Sequence, residues 1–117
     1  MRVISQDGTI DVPYDYFSLS MSSGKYKDVE VAYIYCQNSS SPIGTKLAEY
    51  SAEAKAVKAM EMLREQYARI EIIKALASGT CKHMEESLEP EEFKNILKKY
   101  INMEVFRFPQ DDEIEVR

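Results

Sequence analysis

Apolar positions in this chain change period near Tyr50, from a spacing of two to spacings of three and four. Before that point the pattern is that of strands. Arg2–Ser5 and Thr9–Pro13 flank Gln6-Asp7-Gly8, and Asp-Gly between two β-prone runs marks a hairpin, because glycine takes positive φ without steric cost. Tyr16–Met21 alternates, with Phe17, Leu19 and Met21 on one side and Tyr16, Ser18 and Ser20 on the other. Ser22-Ser23-Gly24-Lys25 reads as a turn. In Val29–Cys36, Val29, Val31, Tyr33 and Tyr35 share one face and Ala32, Ile34 and Cys36 the other. Gln37–Pro42 is polar and reads as a loop, and Thr45–Tyr50 as a last short strand. Short turns between successive strands predict an antiparallel meander.

After Tyr50 the pattern is helical. Ser51 is a good N-cap, and Glu53 places a carboxylate in the first turn. Ala56, Ala59, Met60, Leu63, Tyr67, Ile70 and Ile73 form a stripe that runs to about Ala77, with Gly79 as the expected stop. A helix of that length spans roughly 40 Å. It therefore either breaks near Ile70 or extends to meet a partner. Pro90, Glu91 and Glu92 open a second helix, whose apolar face is Phe93, Ile96, Leu97, Tyr100 and Ile101. Met103–Phe108 returns to a strand pattern that ends at Pro109. The order predicts an α+β fold: an antiparallel N-terminal β-meander, one long and one shorter helix packed on one face, and a C-terminal return strand.

Charge divides the chain. It has 117 residues and a formal charge of −5. The last eight residues carry four acids and one base, a net −3, which leaves −2 for the first 109. The expected organisation is a single domain over 1–109 and an acidic tail over 110–117. No apolar run approaches the roughly 20 residues of a membrane span, and the start lacks a signal-peptide pattern, so a protein that stays in the cytoplasm is expected. Two cysteines, Cys36 and Cys81, cannot frame a disulfide scaffold. The acidic balance argues against direct nucleic-acid binding.

Candidate chemistry is sparse. His83, the one histidine, follows Cys81 by two residues, and both are placed in a loop between the helices as solvent-exposed residues. Turn and helix-start roles account for most carboxylates. Four unclustered glycines form no phosphate loop. No catalytic constellation, metal site or cofactor is implied, and a non-enzymatic protein is expected. What stands out is suited to binding. Of eight tyrosines, Tyr14, Tyr16, Tyr33, Tyr35 and Tyr50 fall in the sheet half, where rigid rings provide contact area for a base or a partner. The helix start at Ser51–Ala54 offers free amides to an anion, although capping also explains Ser51. Arginines are few, and Arg107 alternates with Phe106 and Phe108. The candidate ligand-binding residues are Tyr33, Tyr35, Ser51, Arg64 and Arg107.

Three blocks in order, MRVISQDGTIDVPY (Met1–Tyr14), LAEYSAEAKAVKAMEMLREQY (Leu47–Tyr67) and VFRFPQDDEIEV (Val105–Val116), resemble a family of small uncharacterised phage and prophage proteins of Gram-positive, clostridial-type bacteria. Phe17–Lys46 and Ala68–Glu104 lie outside the resemblance, and the family has no catalytic motif to carry over. The resemblance implies a phage accessory protein acting against host defence in the bacterial cytoplasm. The favoured expectation is a homo-oligomeric sponge that sequesters a host immune nucleotide signal, of cyclic-nucleotide or ADP-ribose type. The alternatives are direct inhibition of a host defence protein, in the manner of an anti-CRISPR, with the acidic tail as the contact, and an assembly role in the phage.

Overall fold

The computed structural model describes residues 1–87 and 90–115, and side chains outside 76–90 and positions 93, 96, 97 and 100. Six strands and two helices run in the order β1 (Arg2–Ile4), β2 (Asp11–Pro13), β3 (Ser18–Tyr26), β4 (Val29–Asn38), β5 (Ser41–Tyr50), α1 (Glu53–Ser87), α2 (Pro90–Met103) and β6 (Val105–Arg107). The fold is α+β. The strands form two three-stranded sheets, β3-β4-β5 and β2-β1-β6. The first is the expected antiparallel meander. In the second, the return strand β6 pairs parallel to β1, Val3 lying opposite Phe106. The N-terminal hairpin is thus not part of the meander.

Gln6 joins the two sheets. Its backbone N–H donates to Leu47 O at 2.8 Å, and its side-chain Oε1 accepts from Glu49 N at 2.9 Å. Leu47 is available because the β4–β5 register shifts between Ile34 and Tyr35: Ile34 faces Ala48 and Tyr35 faces Lys46. The extra residue is a β-bulge that turns the Leu47 side chain into the core.

Alternation on β4 is as expected. Ala32, Ile34 and Cys36 are buried and pack with Ala56, Ala59 and Leu63 of α1, while Tyr33 and Tyr35 face the opposite side. Phe106 and Phe108 are buried in edge-to-face contact, with Arg107 exposed between them. No helix among the described residues is long and apolar enough to cross a membrane.

Four local expectations are overturned. Ser22–Lys25 continue β3, and the chain turns at Lys27 and Asp28, whose φ values of 51° and 65° form a two-residue hairpin turn. Positive φ at both central positions matches the twist of the flanking strands. Likewise, Gln37–Pro42 is no polar loop, since β4 extends to Asn38 and β5 begins at Ser41. The third concerns the long helix, which neither breaks near Ile70 nor stops at Gly79. It runs 35 residues, because one glycine in a helix interior costs only about 1 kcal/mol. Its middle is tied down from within the chain: Gln66 Nε2 donates to Met103 O and Val105 O at 2.7 and 2.9 Å, and Lys74 pairs with Glu104 at 3.9 Å. As a result, Cys81 and His83 lie on helical backbone and not in a loop, and their side chains are outside those described. The expected apolar face of α2 lies outside them at Phe93, Ile96, Leu97 and Tyr100, while Ile101 is 63 % exposed.

The fourth is the acidic segment, which does not stand apart from the domain. Asp111 accepts from the Ser51 backbone N–H at 2.7 Å and from Lys55 Nζ at 3.1 Å. Ile114 is buried in the core, and Pro109 O accepts from the buried Tyr50 hydroxyl at 2.8 Å.

Candidate functional site: an aromatic cleft

Pro13 presets the backbone for a single 3-10 turn at Tyr14–Tyr16, after which the chain enters β3. That turn sets Tyr14 against α1. On α1, Met60, Arg64 and Tyr67 recur at steps of four and three, so they share one side of the helix, next to the buried Leu63. The two segments enclose an open cleft of about 480 Å³ lined by Tyr14, Asp15, Phe17, Ser18, Leu19, Met60, Arg64 and Tyr67. This volume is within the usual range of small-molecule sites.

The Tyr14 and Tyr67 rings meet at 4.7 Å between centroids with a 51° tilt. Tyr67 donates its hydroxyl to Asp15 Oδ1 at 3.3 Å. Desolvation, with Glu71 and Asp15 nearby, pushes the Tyr67 phenol above its ordinary pKa, so it remains a donor at neutral pH. The Arg64 side chain is exposed at the rim and makes no hydrogen bond or ion pair with other described residues. A guanidinium presents a rigid fork of donors that fits phosphate or carboxylate. The lining therefore combines an aromatic wall, one unpaired cation and one carboxylate acceptor.

The five residues expected to bind ligand do not form one site within the chain. Arg64 belongs to the cleft. Tyr33 and Tyr35, with rings 5.9 Å apart, lie on the sheet face away from α1, because alternation sends the neighbours of buried Ile34 outward. Lys46 Nζ sits 5.6 Å from the Tyr33 ring, and Tyr35 packs over Gly44. Arg107, on the other sheet, reaches the Gly8 turn, where a Cβ would lie 3.8 Å from its Nη1.

Ser51 is taken up by the protein itself. Its amide and hydroxyl both donate to the Asp111 carboxylate, and those bonds, led by the amide, hold the Asp111 pKa below the usual range. Ser51 is not the N-cap either: Ala52 O accepts from Lys55 N and Ala56 N, and α1 starts at Glu53. The Glu53 amide donates to Glu30 Oε1 at 2.9 Å. The helix start offered to a phosphate is thus capped by two carboxylates. A larger groove of about 810 Å³ beside it is lined by Glu30, Glu53, Glu61 and Glu115 against Lys58, so its charge repels an anion.

Sequence reasoning missed Tyr14, Asp15, Phe17 and the cleft-facing role of Tyr67. One signal was present: Met60, Arg64 and Tyr67 form a continuous stripe in which a charged residue interrupts apolar neighbours. Among the described residues, no group of three or more His, Cys, Asp and Glu side chains can hold a metal ion. Comparison with protein-family models, curated proteins and solved structures returns no match.

Proposed function

We infer that this protein binds and sequesters a small anionic ligand with an aromatic ring, of cyclic-nucleotide or ADP-ribose type, and does not convert it. The observation that carries the reading is the exposed Arg64 guanidinium, without a partner among the described residues, at the rim of a cleft walled by the Tyr14–Tyr67 pair. Stacking on tyrosine suits a base, and the guanidinium suits its phosphate. Asp15 beside Tyr67 adds an acceptor for ligand N–H or O–H groups. In the phage setting implied by the sequence resemblance, such a protein withdraws a host immune signal in the bacterial cytoplasm.

The test is isothermal titration against a panel of cyclic dinucleotides, cyclic ADP-ribose isomers and mononucleotides. At least one member binds, Arg64→Ala abolishes the heat, and the released ligand elutes unchanged in chromatography. No heat from any member at micromolar protein, or binding indifferent to Arg64→Ala, removes this reading. Inhibition of a host protein through a free acidic arm has less support, because Asp111 and Ile114 are engaged with the domain.

A further inference from the structure

The meander has two edges, and only one is protected. On β5, Pro42 removes an amide donor, two register shifts interrupt the ladder, and Gln6 bonds to Leu47 and Glu49. β3 has none of these devices. It pairs with β4 over nine residues, Ser18–Tyr26, without a register shift, and contains no proline. Its backbone makes no hydrogen bond to other described residues outside the β3–β4 ladder. Between Ser18 and Gly24 it carries no charge. A long, regular, uncharged edge is a template for another strand, which folded proteins ordinarily block.

The edge also indicates which strand fits it. Ser18-Leu19-Ser20-Met21-Ser22 reads almost identically in both directions about Ser20. Antiparallel pairing of two copies about a two-fold axis at Ser20 sets Ser18 opposite Ser22, Leu19 opposite Met21, and Ser20 opposite itself. Leu19 and Met21 are half-buried against the core, and the pairing covers their outer flanks with each other. Serines meet serines on the other face, where both positions are exposed. Beyond the pair, Tyr16, 75 % exposed, comes to the end of the seam near Gly24 of the second copy, where the Cβ position faces open space. An isologous contact requires the same patch on both partners, and a palindromic edge meets that requirement.

We propose that β3 is the seam of a homodimer in which two meanders join antiparallel about Ser20 into one continuous sheet. The proposal rests on the edge alone and needs no ligand.

Light scattering on the full chain is expected to give a dimer, and Ser20→Lys a monomer with an unchanged far-ultraviolet spectrum. Mixing Ser20→Lys with Ser20→Glu restores the dimer, since residue 20 faces its own copy. In a Cys81→Ser background, Ser20→Cys cross-links to itself on mild oxidation, because directly opposed Cα atoms lie within disulfide reach. Ser22→Cys cross-links only when mixed with Ser18→Cys. A monomer at every concentration, a dimer that survives Ser20→Lys, or self-cross-linking of Ser22→Cys as complete as that of Ser20→Cys overturns the proposal.

Discussion

Among the described residues, two pairs of tyrosines make ring contacts, and they are built in opposite ways. Tyr33 and Tyr35 stand two residues apart on β4, with centroids 5.9 Å apart. Tyr14 and Tyr67 come from a turn and a helix 53 residues apart, yet sit closer, at 4.7 Å. The first pair lies on an open sheet face beside Lys46 and Glu49, and desolvation, then Glu49, raises the Tyr33 pKa. The second walls a cleft with Arg64 at its rim. Neighbouring residues on a strand produce a flat aromatic surface. A concave one needs a second element laid across the first, and only a concave surface can enclose a small molecule.

The largest test of this difference is Leu63→Ala. Leu63 is fully buried and anchors the stretch of α1 that carries Met60, Arg64 and Tyr67. Losing its side chain is expected to cost about 2–5 kcal/mol in urea denaturation. In the still-folded variant the Tyr14–Tyr67 ring-current shifts collapse while those of Tyr33–Tyr35 persist. Equal loss of both sets would mean that the two sites are not separately built.

Next comes binding. Tyr67→Ala removes one wall, and a stacked base is worth about 1–3 kcal/mol, so nucleotide affinity falls by about 5- to 150-fold. Tyr33→Ala leaves it within about twofold. Titration calorimetry on the two variants decides, and the reverse order would move the ligand to the open sheet face.

Tyr50→Phe is smaller. This phenol is buried, and desolvation, then Asp111 and Glu113, drives its pKa far above the ordinary value. Removing its bond to Pro109 O is expected to cost about 1 kcal/mol or less, because Gln6 Nε2 still donates to the same carbonyl at 3.1 Å. Tyr33→Phe, on the open face, leaves the urea midpoint unchanged.

Acid separates two carboxylates along the same line. Asp7 takes its bonds from Ser5 and Thr9, within two residues, which lower its pKa to about 2. Asp111 takes its bonds from Ser51 and Lys55, more than fifty residues away, and is also lowered. Both folded-state values lie below the unfolded ones, so the stability they contribute is present above pH 3.8 and is lost as pH falls toward the folded values. Asp7→Asn and Asp111→Asn should each flatten part of the acid limb of stability against pH. Only Asp111→Asn should speed amide exchange across residues 110–115.

Much of the fold was legible in the chain. The period-two pattern of Val29–Cys36 separated its two faces, the stripe from Ala56 to Ile73 identified α1, and the alternation of Arg107 with Phe106 and Phe108 marked the return strand. Errors fell where local signals compete. Ser-Ser-Gly-Lys has turn composition, but pairing of Lys25 with Glu30 and Tyr26 with Val29 carried the strand past it. Ser51 has cap chemistry, but Asp111 claimed both its groups. Gly79 signals a stop, yet helical backbone continues through it.

The candidate site divides the same way. Arg64 was identifiable as one of few arginines and Tyr14 as one of the sheet-half tyrosines, whereas Asp15 and Phe17 carried no binding signal, because their role exists only once α1 crosses them. Residue order and periodicity dictated which faces of β4, β6 and α1 are buried, since backbone geometry and the aversion of apolar groups to water act over a few residues. Tertiary packing alone decided that β6 lies parallel to β1, that the acidic segment is docked, and that Tyr14 meets Tyr67. Those are contacts between residues more than forty apart, and no local pattern encodes which distant partner will satisfy a given hydrogen bond or cover a given ring.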